Sequence, residues 1–421
     1  MLLNLRRHPR LDRVIDPLMP LFAVLLALLI GAVMIAVMGA SPADAYKALW
    51  NGAFGTKNTV ADTMIKATPL LLVGLGTCIA FRGGVINIGG EGQMVVGGLA
   101  AVATGLEYKN SDPTIYIAVC LGASFLAGAV WGGIAGVLKA YFNVNEILST
   151  IMLNQIATLW MMFLVRNQFI DPAKKNTAAP IPETARLSRR LDLPRIGHSL
   201  DQIYSFVGRV GHAVRTAPII GKPLGQIFDW IGLSAGSMKW STTLLHNGIV
   251  IAVILAVVVY VLLWRTTIGY RIRAVGKNPQ ASRYAGIKVK QYLVLSLFLS
   301  GGLAGLAGGI QLLGVRHRMN AEGGAIAFTG NAGFNGIVAA LFGGLHPIGT
   351  IPASVLFGAL LVGGNKLQRD VQVPSALITA LIGLVIVFVV SSDIFVRRRA
   401  RRRVAVSLSD TALAAETEAG P

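Results

Sequence analysis

Acid is scarce in this chain. Of 421 residues, 19 are Asp or Glu against 38 Lys or Arg, and charged residues of either sign make up 14%. A soluble domain of this size needs far more charge at its surface, so a bulk-water fold is disfavoured. Cysteine is almost absent. Cys78 and Cys120 both lie inside apolar runs, which fits small packing residues and excludes a disulfide framework. There are six histidines, and no His/Cys cluster has metal-ligand spacing. The sequence has no H-E-x-x-H and no G-x-x-x-x-G-K-[ST]. The chain therefore lacks the metalloprotease zinc motif and cannot be expected to bind and hydrolyse ATP by a P-loop. Acids inside apolar runs are rare too: Glu91 lies near one run and Glu146 starts another. Proton-coupled carriers generally use intramembrane carboxylates or histidines, which counts against a self-sufficient secondary transporter.

What is abundant is apolar surface. Hydrophobic residues make up 54% of the chain, and mean hydropathy is +0.63. Several runs of about 20 apolar residues have the length of a bilayer span. Ten spans fit: 18–38, 68–81, 87–106, 114–138, 146–165, 244–264, 291–314, 325–345, 347–366 and 373–395. The reading is an all-α polytopic membrane bundle with glycine-broken or re-entrant segments. The net charge of +19 sits where topology would put it, which argues against nucleic acid as a partner. Arg6, Arg7, Arg10 and Arg13 precede the first run, seven basic residues and no acids lie over 265–290, and six arginines follow the last run at 397–399 and 401–403. The positive-inside rule makes these regions cytoplasmic, with both termini inside. Membrane lipids with acidic headgroups are compatible partners for the same charges.

The first run, at about 21 residues, exceeds a cleavable signal's apolar region and reads as a retained anchor, although Ala43-Asp-Ala45 resembles a cleavage site. The organisation expected is a first membrane half over 1–166, an external soluble insert over 167–242, a second half over 243–396, and a basic-then-polar tail over 397–421. The insert has proline breaks at Pro172, Pro180, Pro182 and Pro194 and a candidate amphipathic helix near 203–214. It reads either as a partner-docking element or as a connector on the membrane surface. Trp240 and Trp264 are spaced by about 36 Å of helix, a separation that suits the two bilayer edges. Gly128, Gly132 and Gly136, and likewise Gly301, Gly305 and Gly309, have the small-xxx-small spacing of closely packed membrane helices.

The loop over 265–290 carries the most local information. Asn278 suits an N-cap and Pro279 the first helical position. A short helix over 279–285 is predicted, ended by Gly286 in the left-handed conformation. It reads as a basic-flanked helix outside the membrane, either a solvated connector or a docking element. Here residues carry a resemblance. Gln280-Ala281-Ser282-x-x-x-Gly286 resembles the E-A-A-x-x-x-G coupling loop of ABC-importer permeases, with Gln for Glu and Ser for the second Ala. The wider string G-Y-R-I-R-A-V-G-K-N-P-Q-A-S-R-Y-A-G-I resembles the branch serving branched-chain amino acids, simple sugars and nucleosides. So does G-G-V-I-N-I-G-G-E-G-Q-M, which begins at Gly83. The strings F-N-V-N-E-I-L-S-T-I-M-L-N from Phe142, L-H-N-G-I from Leu245, G-F-N-G-I from Gly333 and H-P-I-G from His346 are most similar to the nucleoside permeases. The resemblance covers nearly all of the membrane part. It leaves out 174–231 and the tail after Arg403.

That resemblance implies a bacterial inner-membrane importer subunit that moves nucleosides by alternating access. Its partners would be separate ABC ATPase subunits, a second and different permease chain, and an external substrate-binding lipoprotein. ATP would be bound on the partner subunits and no cofactor held here. Asn278, Pro279, Gln280, Ala281, Ser282 and Gly286 would couple to the ATPase. A sugar or branched-chain amino acid permease is the alternative within the class, and a secondary transporter the alternative outside it.

The stretch 81–94 breaks an apolar region with five glycines. Backbone freed from helical bonding at membrane depth must meet protein or a wet cavity. A similar mixture of Gly and Asn opens the run near 329–336, and paired interrupted segments point to a substrate path. The pathway candidates are therefore Asn87, Glu91, Gln93, Asn154, Asn331, Phe334 and Asn335. Each has a second reading. Glu91 could fix a re-entrant turn through backbone N–H groups, the asparagines could bond between helices, and Phe334 could pack.

Overall fold

The computed structural model describes residues 25–108, 110–169, 243–320 and 323–374, with a few single positions elsewhere. The arginine clusters, Trp240, the prolines of the insert, the 203–214 segment and most of 373–395 lie outside the described residues. The chain divides into two compact units, residues 1–49 with 364–421, and residues 50–363. Among the described residues the secondary structure is helical, with one isolated β-bridge between Arg195 and His246.

In the smaller unit, helix α1 (Leu25–Val37) is followed by a turn at Gly39 and the opening of α2 (Pro42–Phe54). The Tyr46 hydroxyl donates to the Leu28 carbonyl and closes this hairpin.

The larger unit is a membrane bundle. Six helices among the described residues are long and apolar enough to cross a bilayer. They are α3 (Lys57–Arg82), α5 (Pro113–Phe142), α6 (Glu146–Asn167), α7 (Gly248–Arg265), α10 (Val289–Gln311, continued as a π-helical turn over Leu312–Arg316) and α13 (Pro347–Val371). Between them lie α4 (Gly90–Glu107), α8 (Thr267–Lys277), α9 (Pro279–Tyr284), α11 (Gly324–Thr329) and α12 (Ala332–Phe342).

The pattern of burial follows from the side chains. Helices α3, α4 and α10 bury most of their length, the polar starts of α3 and α10 excepted, as a largely apolar helix inside a bundle must. Helices α5, α6 and α7 bury one face of small residues and leave Leu, Val, Ile and Phe outward. Helix α10 runs through the centre against α3, α4 and α5. It fits because glycine faces glycine. A methyl group on Gly97 of α4 would collide with the Gly305 carbonyl of α10, and one on Gly308 with the Met94 carbonyl. On the α5 side, a Cβ at Gly128 would stand 2.6 Å from Gly305 Cα. The spacing read from the sequence is thus the α5–α10 crossing itself.

Two predicted spans take a different form. The second begins at Lys57, eleven residues before the apolar run at 68. Thr56 and Thr59 form a reciprocal capping box, so the helix extends through polar residues that a hydropathy window rejects. The eighth, expected as one segment over 325–345, is two short helices. Gly330 and Asn331 between them are both left-handed, with φ of +63° and +61°. Two successive left-handed residues cannot continue an α-helix.

Candidate functional site

The glycine-rich break after α3 is closed by side chains. Gly84 turns the chain with φ +77°, and 85–88 is irregular before α4 starts at Gly90. The backbone groups released here are met by two asparagines. Asn87 Oδ1 accepts from Gly89 N–H at 2.9 Å. Asn154 of α6 reaches across, accepting from Gly92 N–H at 2.8 Å and donating Nδ2 to the Ile88 carbonyl at 3.1 Å. Asn87 and Gln93 pair amide to amide. Asn87 Nδ2 donates to Gln93 Oε1 at 2.9 Å, and Gln93 Nε2 donates to Asn87 Oδ1 at 3.0 Å. Asn87 Nδ2 also donates to Ser300 Oγ of α10 at 2.8 Å. All three amide side chains, and Ser300, are buried.

Glu91 connects this break to the second one. Its Oε1 accepts from Gly333 N–H at 2.9 Å, with Phe334 N–H at 3.4 Å, so the carboxylate caps the start of α12. Negative charge at a helix N-terminus is favoured by the unpaired N–H groups and their dipoles. Close packing makes the reach possible: a methyl on Gly333 would collide with the Glu91 backbone. Thr329 lies beside the carboxylate, but its hydroxyl donates to the Ala325 carbonyl at 3.1 Å. Glu91 Oε2 has no hydrogen-bond partner among the described residues.

The sequence-predicted pathway residues therefore fall into two groups. Asn87, Glu91, Gln93 and Asn154 come together as a buried bracing network. Asn331 is the left-handed N-cap residue of α12, and Phe334 and Asn335 lie in its first turn. Asn331 and Phe334 are exposed, and Asn335 is half-buried. Ser300 belongs to the network and was not singled out in the sequence. Its signal is a hydroxyl in the glycine-rich run S-G-G-L-A-G-L-A-G-G. Glu146, the other acid noted at a span, forms an ion pair with Lys139 at 2.9 Å across the α5–α6 turn.

The loop between α7 and α10 projects from the bundle. Asn278 Oδ1 accepts from Ala281 N–H at 3.0 Å and caps α9. The helix ends one residue earlier than the predicted 279–285. Gly286 N–H donates to Arg283 O and Ile287 N–H to Ser282 O, each at 3.0 Å, with Gly286 at φ +76°. This is a Schellman ending, which places its left-handed residue just past the helix. Ser282 is the buried side chain of α9 and faces the bundle, whereas Pro279, Gln280, Ala281 and Tyr284 face outward, Tyr284 being 95% exposed. Clefts of about 620 and 520 Å³ flank the helix, one lined by Tyr141, Gln280, Arg283 and Lys290, the other by Tyr270, Arg271 and Tyr292. Trp264, read from the sequence as a bilayer-edge anchor, lies at the root of this loop with Arg82 and Arg273 over its ring.

Comparison with known proteins agrees with this layout. The guanosine ABC transporter permease protein NupP of Bacillus subtilis is 36% identical over 375 residues, covering 89% of this chain and 93% of that one. The nucleoside ABC transporter permease protein NupB of Lactococcus lactis is 27% identical, covering 88% and 90%. The glucose ABC transporter permease protein TsgB13 of Haloferax volcanii is 29% identical, covering 90% and 88%. The two bacteria also supply a second permease protein of the same description, each 27% identical to this chain. No solved structure gives a significant match. The family described as the branched-chain amino acid transport system / permease component matches residues 59–390, which spans the α3–α13 bundle, the bracing network and the projecting loop. The chain belongs to that family and is a multi-pass membrane permease subunit.

Proposed function

We propose that this chain is a membrane-spanning subunit of an ATP-binding-cassette importer that carries nucleosides into the cytoplasm. The observation that carries the substrate is the similarity to the guanosine permease of Bacillus subtilis along nearly the full length of both chains. This subunit is a passage and not an enzyme, and hydrolysis belongs to separate ATPase subunits. The glucose permease of Haloferax volcanii supports a sugar as the second reading.

In this reading the end of the bundle bearing α9 is cytoplasmic, as its basic flanks favour. About ten spans cross the bacterial inner membrane, with both termini inside. Residues 1–166 and 243–396 form the two halves, 167–242 is an external insert, and 397–421 is a cytoplasmic tail. Helix α9, with Asn278, Pro279, Gln280, Ala281, Ser282 and Gly286, seats the ATPase within the loop 265–290. A second, different permease chain completes the passage, supported by the two permease proteins found in each of two bacteria. An external binding lipoprotein delivers the nucleoside.

The site residues take separate parts. Asn87, Gln93, Asn154 and Glu91 hold the break that joins α3, α4, α6 and α12. The start of α12, with Asn331 at its N-cap and Phe334 and Asn335 in its first turn, lines the passage. An aromatic ring there suits a nucleobase, because every base offers a π-face. Asparagine amides suit ribose hydroxyls and base edges as donors and acceptors.

Reconstitution tests this reading. The subunit is placed in liposomes with its partner permease, its ATPase subunits and its binding protein, and labelled guanosine is followed. Uptake that needs ATP and every subunit is the expected result. Guanosine uptake by this chain alone, without nucleotide, overturns it in favour of a secondary transporter.

A further inference from the structure

At the root of the projecting loop, side chains from α3, α7, α8 and the turn before α13 meet on one indole ring. Arg82, the last residue of α3, holds its guanidinium 5.4 Å from the Trp264 ring centroid. Arg273 of α8 holds its own 5.7 Å from the same ring. His346 packs against it at 4.9 Å and Tyr260 at 5.5 Å, centroid to centroid. Arg82 also donates Nε and Nη2 to the Leu345 carbonyl, both at 3.3 Å. The negative face of the indole attracts both cations. The ring thus joins the end of α3, the end of α7, the body of α8 and the 343–346 turn.

A second contact ties the same pieces by backbone alone. A Cβ on Gly84 would stand 2.8 Å from Gly276 Cα, and one on Gly276 would collide with the Arg82 carbonyl. Gly276 is one residue from the end of α8, and Asn278 then caps α9. Gly84 opens the break whose Asn87 joins α10 and whose Glu91 caps α12. From α9 to α12 there is therefore an unbroken series of close contacts. Its two joints at the loop root are the indole and the glycine pair.

We propose that Trp264 is a positioning residue that fastens α8 and α9 to the 83–89 break, so that displacement of α9 moves the break and, through Glu91, the start of α12. The proposal rests on the reading of α9 as the element that seats the ATPase. Rigid joints matter here because packed elements switch between discrete arrangements, and a loose joint lets one end move without the other. Tyr141 and Lys290, also in contact at the loop's flank, lie outside this series.

The test uses the full complex in liposomes, with labelled guanosine as the probe, and reads guanosine moved per ATP hydrolysed. Trp264→Ala is expected to bind the ATPase at wild-type level and to keep hydrolysing. Its transport per ATP should fall by about fivefold or more, the size of a typical coupling between sites. Trp264→Phe, which keeps an aromatic face, should recover much of the ratio. An unchanged ratio in Trp264→Ala overturns the proposal. So does a parallel fall of transport and hydrolysis, the mark of a merely structural role. If Trp264→Ala does not accumulate, Arg273→Gln carries the same test, a lowered ratio supporting the proposal and an unchanged ratio overturning it. Gly286→Arg separates this from the parent reading. Loss of ATPase pull-down in that variant with a normal ratio in Trp264→Ala removes the indole joint alone. Normal pull-down in Gly286→Arg removes the α9 assignment.

Discussion

The break at 83–90 with the first turn of α4, and the break at 330–336, both mix glycine with asparagine and work in opposite ways. The first offers side chains: Asn87, Glu91 and Gln93 are buried, and their polar atoms are mostly consumed by neighbouring groups. The second offers backbone: its N–H groups at Gly333 and Phe334 receive the Glu91 carboxylate, and its own Asn331 and Phe334 side chains point outward. A polar residue in an apolar bundle is thus not by itself a mark of a passage. What separates bracing from lining is whether its donors and acceptors are already spent.

That contrast makes graded predictions. The largest effect is expected for Asn87→Leu, a near-isosteric change that removes four hydrogen bonds at once. At roughly 0.6–1.7 kcal/mol per bond in a membrane bundle, about 3 kcal/mol should be lost. The unfolding midpoint of the purified protein in detergent measures it, and a normal midpoint would remove the bracing role. Phe334→Ala comes next and should act on the other axis. Folded yield stays at wild type, while the guanosine concentration for half-maximal uptake rises about tenfold, as loss of one base–aromatic stack costs about 1–3 kcal/mol. A fall in yield with unchanged half-saturation would place Phe334 with the packing residues instead.

Glu91→Gln should be milder. The amide keeps an acceptor for Gly333 N–H and gives up the charge at the helix start, a loss of about 1 kcal/mol. Assembly is expected to survive. Full stability with abolished uptake would show that Glu91 Oε2 serves the passage and not the brace. The smallest effect is expected for Gly286→Ala. Nothing lies within 4 Å of a Cβ there, so the cost is only the left-handed backbone, about 1 kcal/mol. ATPase pull-down should weaken slightly, far less than in Gly286→Arg.

Much of this was legible in the sequence where the physics is local. Asn278-Pro279 and Gly286 specify a cap, a first turn and a left-handed ending, and the helix has all three. The paired glycines of α5 and α10 announced a close crossing, because only small residues allow one. Where the sequence misled, the deciding interaction was not local. Helix α3 starts early because a threonine pair caps it, which an apolar window ignores. The 325–345 segment is broken because its second half is held by a carboxylate 242 positions away. Asn154 and Ser300 meet the break from two further helices, so their role exists only once the bundle is packed. The contacts of Trp264, read from the sequence as one of two bilayer-edge anchors, likewise come from residues of α3 and α8 and from His346.

The central claim is that this chain passes nucleosides. The direct measurement is uptake of labelled guanosine by cells with and without the gene, challenged with excess unlabelled adenosine, ribose, glucose or leucine. The account predicts that uptake is lost on deletion and that only nucleosides compete in the wild type. Unchanged guanosine uptake, with loss of glucose or leucine uptake instead, would contradict it.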